Sequence, residues 1–235
     1  RAFAEALMAN EIKPAGCTVM GEEDVSNVAS FLGVDAGEAN RRVARLLCAG
    51  GTDVALQQAE YRGLQSCAAA ASVASGGKAC TWGCLGLADC EVSCDFDAIV
   101  MNDVGLPVVI PELCTACGDC VEACPKDLFT LMPVDQNLIV QCRSLLEGDI
   151  AEELCAVACN GCGRCAADAE GDLITMKDGL AVIDYEKYEL ADPSAIARCP
   201  TNAIVWVEGM QFPISRNIPA TMSEQNQTEG RSVTA

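Results

Sequence analysis

Cysteine is the residue type in this sequence whose number and spacing could do chemistry. The chain has 17 cysteines among 235 residues and contains no histidine. An odd number of cysteines cannot all be closed into intrachain disulfides. The absence of histidine excludes zinc sites with a histidine ligand, Ser-His-Asp triads and histidine-bound haem. What remains is the chemistry of thiolates, and their spacing decides between disulfides and metal.

One run of cysteines has the spacing of a bacterial [4Fe–4S] site. It reads C-x2-C-x2-C-x3-C-P and comprises Cys114, Cys117, Cys120 and Cys124. The short spacers let one loop present three thiolates to one cluster, while the fourth cysteine ligates the other cluster of a pair. Zinc sites use two separated pairs of ligands instead, so the run favours an iron–sulfur site.

A second run, upstream, is the predicted partner, and it departs from the usual form. Leu87 stands at its central position, and Cys80 is predicted to replace that ligand. Crossed ligation then predicts two sets of four. The first cluster takes Cys80, Cys84, Cys90 and Cys124, and the second takes Cys94, Cys114, Cys117 and Cys120.

An internal duplication adds an incomplete copy of this module. Five cysteines recur at one constant offset, from Cys67, Cys80, Cys84, Cys90 and Cys124 to Cys142, Cys155, Cys159, Cys165 and Cys199. Such repetition indicates a duplicated unit. The copy supplies a third ligand set, which is Cys159, Cys162, Cys165 and Cys199. Ala169 and Tyr188 stand where further ligands are expected, so we predict one cluster in this copy.

Five cysteines remain outside these three sets. Cys17 stands alone near the start of the chain. The other four could bind a further [4Fe–4S] cluster or a zinc ion if the fold brings them together; they are Cys48, Cys67, Cys142 and Cys155. The alternative is that they are buried, reduced thiols that pack as small apolar residues. Both interpretations stay open.

The elements that must position these thiols are short. Apolar spacing predicts helices over 2–10 and 22–32, the second ending at Gly33, and a third over 36–47. The third carries a group of basic residues, which is either a docking patch for an acidic redox protein or a solvated helix face; they are Arg41, Arg42 and Arg45. Hairpins are predicted within 99–110 and 173–183, the latter with an Asp-Gly turn.

Together these features predict an α+β fold of tandem bacterial-type ferredoxin modules with short β-hairpins and helices. The predicted boundaries are 1–37 for a helical N-terminal region, 38–78 for a helical connector rich in Ala and Gly, 79–133 for the first module with two clusters, 134–212 for the second module with one cluster, and 213–235 for a polar tail. We expect the tail to be an extended arm or disordered.

Charge and composition exclude several classes of function. With 15 basic and 34 acidic residues the net charge is −19, which argues against a nucleic-acid partner. The sequence contains no run of 18 or more apolar residues, which is the length needed to span a bilayer. No acid/base pair and no dinucleotide fingerprint are present, so we expect neither catalytic chemistry nor a small-molecule substrate. Because Arg1 begins inside a predicted helix, we expect a fragment or an incomplete N-terminus.

The chain resembles the B subunits of the Rnf complex, a membrane-bound ferredoxin:NAD⁺ oxidoreductase. The resemblance extends to about residue 210. It is carried by Arg1-Ala-Phe-Ala-Glu-Ala, Tyr61-Arg-Gly-Leu-Gln-Ser-Cys67 and, most specifically, Lys78-Ala-Cys-Thr-Trp-Gly-Cys-Leu-Gly-Leu-Ala-Asp-Cys90. It implies that residues 1–37 are the remnant of a small helical iron–sulfur domain, with a membrane helix and three cysteines before Arg1 and with Cys17 as the fourth ligand of that upstream cluster. Asp95 stands where the family usually has proline.

The resemblance also implies a function. Single electrons would pass from reduced ferredoxin, through at least three [4Fe–4S] clusters here and four or five in the complete chain, to the membrane and NADH-binding subunits of the complex. Electron flow to NAD⁺ would be coupled to Na⁺ or H⁺ translocation, with this chain peripheral on the cytoplasmic face of the inner or plasma membrane. Two alternatives stay open: a polyferredoxin-like component of a soluble cytoplasmic oxidoreductase, and an iron–sulfur or zinc protein with a sensor or structural role.

Overall fold

The N-terminal region is helical, as predicted. The computed structural model describes residues 2–37 and 41–214. Helix α1 spans Ala2–Met8 and α2 spans Glu22–Leu32. Gly33 ends α2 in the left-handed conformation (φ 65°), and its N–H donates to the carbonyls of Ala29 and Ser30. The predicted polar tail lies outside the described residues apart from its first two positions.

The predicted third helix is wrong where the structure describes it. Strand β1 covers Arg42–Leu46 and pairs antiparallel with β4, Phe129–Pro133. Four of the five β1 residues are buried. Pairing with a distant strand therefore overrides the helix propensity of Ala, Arg and Leu. The basic docking face or solvated face predicted here is wrong as well for Arg45, which is 0% exposed.

Both predicted hairpins are confirmed. Strand β2, Ile99–Met101, pairs with β3, Pro107–Val109. Strand β6, Ile174–Lys177, pairs with β7, Leu180–Ile183. The turn between β6 and β7 has positive φ at Asp178 and Gly179 (48° and 75°), as a two-residue hairpin loop requires. Strand β5, Leu138–Val140, pairs with β8, Ile204–Trp206.

A common entry into the strands recurs four times along the chain. Aspartate or asparagine with positive φ precedes β2, β4, β6 and β8 at corresponding positions, with φ of 50°, 51°, 55° and 56° at Asp97, Asp127, Asp172 and Asn202. These two residue types tolerate the left-handed region better than other non-glycine residues. The recurrence includes Asp172, which follows Ala169, a position where a further ligand is predicted, so this entry into the strand does not depend on a cysteine.

The remaining helices are short and carry cysteines or lie beside them. They are α3 (Cys67–Ala71), α4 (Asp89–Val92), α5 (Asp119–Ala123), α6 (Gly148–Leu154) and α7 (Arg164–Asp168). Within 38–78, predicted as a helical connector, the described residues form β1, α3 and a 3-10 segment at Ala74–Gly77. None of the helices described is long and apolar enough to cross a membrane.

Candidate metal centres

Sixteen cysteines line four cavities, four to each cavity. Their empty volumes, including space open to solvent, are about 310 to 420 Å³. Site A is lined by Cys67, Cys84, Cys90 and Cys124, and site B by Cys94, Cys114, Cys117 and Cys120. Site C is lined by Cys159, Cys162, Cys165 and Cys199, and site D by Cys48, Cys80, Cys142 and Cys155. Cys17 lines none of the four.

Site B brings together the four cysteines that the spacing had grouped. Gly118, with φ of 98°, turns the cysteine loop into α5, which carries Cys120. Burial raises the pKa of the Cys120 thiol to about 12, and the neighbouring Cys114 and Cys117 thiolates act in the same direction. Cys117 is exposed. The loop and the helix therefore enclose three thiols and leave one facing solvent.

Site A departs from the predicted set by one residue. The structure places Cys80 in site D, and Cys67 lines site A with Cys84, Cys90 and Cys124. The physical reason lies at the start of α3, where the Asp89 carboxylate accepts from Ser66 Oγ and from the Ala68 N–H, both at 3.0 Å. Asp89 is adjacent to Cys90 in the chain, so this cap holds Cys67 beside the other site A thiols.

Burial strongly raises the pKa values of three thiols in site A. It raises the pKa of Cys84 to about 12 and also raises the pKa of Cys67 and Cys90. The Cys84 and Cys67 thiolates add to the rise at Cys90. Several thiolates in one buried cavity repel one another unless a positively charged group lies between them. Site A is therefore suited to bound metal rather than to free thiolates.

Site C also groups the four cysteines that the spacing had grouped. Gly163 (φ 69°) precedes α7, which carries Cys165. Burial raises the pKa of the Cys165 thiol to about 11, with Cys159 adding to the rise. Cys162 is exposed, as Cys117 is in site B. The loop, the left-handed residue and the short helix thus repeat the construction of site B.

Two tyrosine side chains lie together with Ala169 in the region where further ligands were predicted. The Tyr188 hydroxyl accepts from the Asn137 N–H in a short hydrogen bond and from the Leu138 N–H at 3.2 Å. The Tyr185 hydroxyl donates to the Leu138 carbonyl at 3.2 Å. Both rings pack with Ala169 on the core of this half. The predicted ligand positions Ala169 and Tyr188 are therefore part of a packed hydrophobic core.

Site D is assembled from four separate segments. Cys48 follows β1, Cys142 follows β5, Cys155 follows α6, and Cys80 precedes the Cys84 loop. The Cys48 Sγ accepts from the N–H groups of Gly50 and Cys84, both at 3.4 Å. Sequence reasoning had recognised three of the four thiols as a possible set. The spacing of the cysteines does not indicate which of Cys67 and Cys80 belongs to site A and which to site D.

The donor chemistry fits [4Fe–4S] clusters. Each cavity presents four thiols, which is one for each iron of a cubane. In the part of the chain that the structure describes, no group of three or more Cys, Asp or Glu forms a site for a single metal ion. Near site B, Arg45 Nε, Arg45 Nη2 and Thr115 Oγ1 are buried and have no hydrogen-bond partner among residues 2–37 and 41–214. A buried cation with no carboxylate partner fits a neighbouring group of net negative charge.

Comparison with known proteins also indicates iron–sulfur sites. Residues 78–129 match the family described as a 4Fe-4S dicluster domain. The chain is 41% identical over 192 residues to the B subunit of the Na(+)-translocating ferredoxin:NAD(+) oxidoreductase complex of Acetobacterium woodii, covering 80% of this chain and 56% of that protein. It therefore spans little more than half the length of that relative.

Two further relatives are matched over larger shares of their length. The chain is 38% identical to the B subunit of the proton-translocating ferredoxin:NAD(+) oxidoreductase complex of Clostridium ljungdahlii, covering 87% of this chain and 72% of that protein. It is 34% identical to the B subunit of the ion-translocating oxidoreductase complex of Methanosarcina acetivorans, covering 86% of this chain and 76% of that protein. All three relatives are thus B subunits of ion-translocating complexes.

Proposed function

Because the chain belongs to the family of B subunits of ion-translocating ferredoxin:NAD(+) oxidoreductase complexes, we propose that it relays single electrons within such a complex. It binds multiple [4Fe–4S] clusters, as the dicluster domain and the cysteine content show. The observation that carries the proposal is the grouping of the cysteines into cavities of four. We assign the thiols of sites A, B and C as ligands of three clusters.

The proposed architecture is a pair of tandem ferredoxin modules. The hairpin β2–β3 and strand β4 correspond in order and spacing to the hairpin β6–β7 and strand β8. Sites A and B belong to the first half and site C to the second. The packing of Ala169, Tyr185 and Tyr188 supports the prediction that the second half has a counterpart of site A, which is site C, and none of site B.

The residues of each site hold and shield the cofactor. When bound, a [4Fe–4S] cluster accepts or releases one electron at low potential. The thiolates would hold the irons of the cluster, and apolar side chains would exclude water from it. In site A these side chains are Leu46, Leu128 and Phe129. Backbone N–H groups that point at sulfur, such as that of Leu128 toward Cys124 Sγ at 3.5 Å, favour the anionic form.

The proposed partners follow from the family. We infer reduced ferredoxin as the electron donor, and the other membrane and NADH-binding subunits of the complex as neighbours on the electron path. Two thiols reach the surface, Cys117 in site B and Cys162 in site C, so a redox partner can approach either site closely. We place the chain on the cytoplasmic face of the membrane and assign it no bond-making chemistry of its own.

The proposal is tested by anaerobic reduction of the 235-residue chain. Dithionite should give several interacting S = 1/2 signals in low-temperature EPR spectra, and reduced ferredoxin should reduce the same centres within milliseconds in stopped-flow experiments. Cys165→Ser should lose the signal of site C, whereas Cys17→Ser, which alters none of the four cavities, should lose none. Bound zinc, or iron that ferredoxin does not reduce, would favour the sensor or structural alternative and contradict the proposal.

A further inference from the structure

We propose that Cys48, Cys80, Cys142 and Cys155 bind a fourth [4Fe–4S] cluster that joins the two halves, so that the four sites form one relay in the order B, A, D, C. This inference rests on the proposed electron-relay function. Neither the dicluster match at 78–129 nor the cysteine spacing assigns this site. Its empty volume of about 420 Å³, which includes space open to solvent, is no smaller than that of the three other sites.

Backbone hydrogen bonds between distant segments hold the thiols of site D together. The segment that follows Cys48 lies between the segments that carry Cys80 and Cys155 and is hydrogen-bonded to both. The Ala79 N–H donates to Leu56 O at 3.0 Å, and the Ala156 N–H donates to Val54 O at 2.9 Å. Ala55 and Cys155 also form an antiparallel bridge. These backbone bonds hold the thiols of distant segments around one cavity.

The relay order follows from two strands whose alternate residues line successive sites. In β1, Ala44 lines site B and Leu46 lines site A, and Cys48 just beyond the strand lines site D. Alternate residues of an extended chain point to the same side and lie about 7 Å apart. In β5, Val140 lines site C and Cys142 lines site D. Site D therefore lies between site A and site C.

Direct bonds connect site D to both neighbours. The N–H of Cys84, a site A residue, donates to the Cys48 Sγ of site D at 3.4 Å. The N–H of Ala49 donates to Gln141 O at 3.1 Å and ties together the two residues adjacent to Cys48 and Cys142. Lys78 Nζ donates to Gly50 O at 2.5 Å and to Cys84 O at 2.6 Å, and so spans sites D and A.

Solvent exposure agrees with this order. Sites B and C, at the two ends, each have one exposed cysteine, Cys117 and Cys162. Every cysteine of sites A and D is buried or half-buried. An electron that enters at one end reduces the end cluster, then each inner cluster in turn, as each donor is reoxidised. No proton moves and no covalent bond changes. Without site D, the A–B pair and site C are separate.

Iron counting in the anaerobically purified chain tests the site. We expect about 16 iron atoms per chain, and about 12 in each of the single variants Cys155→Ser, Cys48→Ser and Cys80→Ser. The double variant Cys80→Ser with Cys155→Ser should also keep about 12, because both thiols serve one cluster. Cys67→Ser combined with Cys155→Ser should keep about 8.

The spacing-based alternative makes opposite predictions. If Cys80 served site A and Cys67 joined Cys48, Cys142 and Cys155, the two double variants would exchange results. Cys80→Ser with Cys155→Ser would keep about 8 iron atoms, and Cys67→Ser with Cys155→Ser would keep about 12. A wild-type count of about 12 with Cys155→Ser unchanged would overturn the inference and leave the electron-relay proposal standing. If Cys155→Ser retains no iron, Gly50→Val repeats the test with every thiol in place, because a Cβ at position 50 lies 3.2 Å from Cys155 Sγ. Retention of all iron by both Gly50→Val and Cys48→Ser would contradict site D.

EPR spectroscopy of the reduced protein tests the order. In Cys155→Ser we expect the site C signal to lose its magnetic splitting, since its neighbour is gone, while the A–B pair keeps its interaction. In Cys90→Ser we expect an isolated site B and an interacting D–C pair. A site C signal that remains split in Cys155→Ser would refute the order. Absence of any ferredoxin-reducible cluster in the wild type would instead refute the proposed function.

Discussion

Replacement of Lys78 by methionine should lower the reduction potentials of the clusters in sites A and D. The side chain is half-buried and holds its ammonium between the two sites through bonds to Gly50 O and Cys84 O, at 2.5 and 2.6 Å. Burial raises the pKa of Cys80, Cys84 and Cys155, and the Lys78 charge opposes that rise in all three. The same charge therefore stabilises added negative charge in both sites.

The size of the effect follows from Coulomb's law. A unit charge about 6 to 8 Å from the centre of a cluster contributes roughly 1 to 3 kcal/mol at an effective dielectric constant of about 20 to 40. Since a tenfold change in a one-electron equilibrium is about 59 mV, the expected decrease is roughly 40 to 120 mV. The upper part of this range applies if no water molecule occupies the former position of the ammonium, because the effective dielectric constant is then lower.

The measurement is a potentiometric EPR titration of the wild type and of matched variants. Lys78→Arg keeps the charge and should stay close to the wild type. Lys13→Met removes a cation that is paired with Asp35 at 4.0 Å, among the N-terminal helices, and should shift no site. Unchanged potentials in Lys78→Met, or an equal decrease in Lys13→Met, would refute the reasoning. A shift confined to sites B and C would also refute it.

Three further outcomes are expected. Arg45→Met should lower the reduction potential of site B and leave that of site C unchanged in the same titration. The reason is that the buried Arg45 guanidinium, whose pKa burial lowers, interacts with the Cys114 thiolate. If site B had the same potential in Arg45→Met and in the wild type, the role of Arg45 would be structural. Tyr188→Phe should destabilise the second half by about 1 to 3 kcal/mol, visible as faster hydrogen exchange at Asn137 and Leu138 with the iron content unchanged; loss of iron would mean that Tyr188 supports a cluster. Chelation of all iron should abolish cooperative unfolding in circular dichroism, because the cavities lose the groups that fill them; a cooperative iron-free chain would contradict this.

Local patterns in the sequence were sufficient wherever the chain folds on itself at short range. The hairpin β6–β7 was predictable because Asp178-Gly179 favours a two-residue turn between alternating apolar residues. The triplets of sites B and C were predictable because three thiols in one loop share a cluster by their spacing alone. Gly33 ends α2 as predicted because it adopts a left-handed conformation there.

Long-range pairing decided the features that local patterns missed. The sequence of β1 is compatible with a helix, and its pairing with β4 makes it a strand. Arg45 reads as a surface residue, yet the strand places it among buried neighbours with Nη1 donating to Gly209 O at 2.7 Å. No local signal anticipates that contact, because Gly209 lies at the far end of the described chain.

The sequence by itself determined that this protein binds several iron–sulfur clusters, and it predicts that a module is duplicated and that part of the copy lacks ligands. Only the tertiary structure decided which thiol completes each set. Cys67 and Cys80 both precede the Cys84 loop in the sequence. The Asp89 cap on α3 brings Cys67 to site A, while Cys80 lies with Cys48 in site D. Spacing determines which thiols share a loop, whereas a ligand contributed by a remote segment depends on how that segment packs.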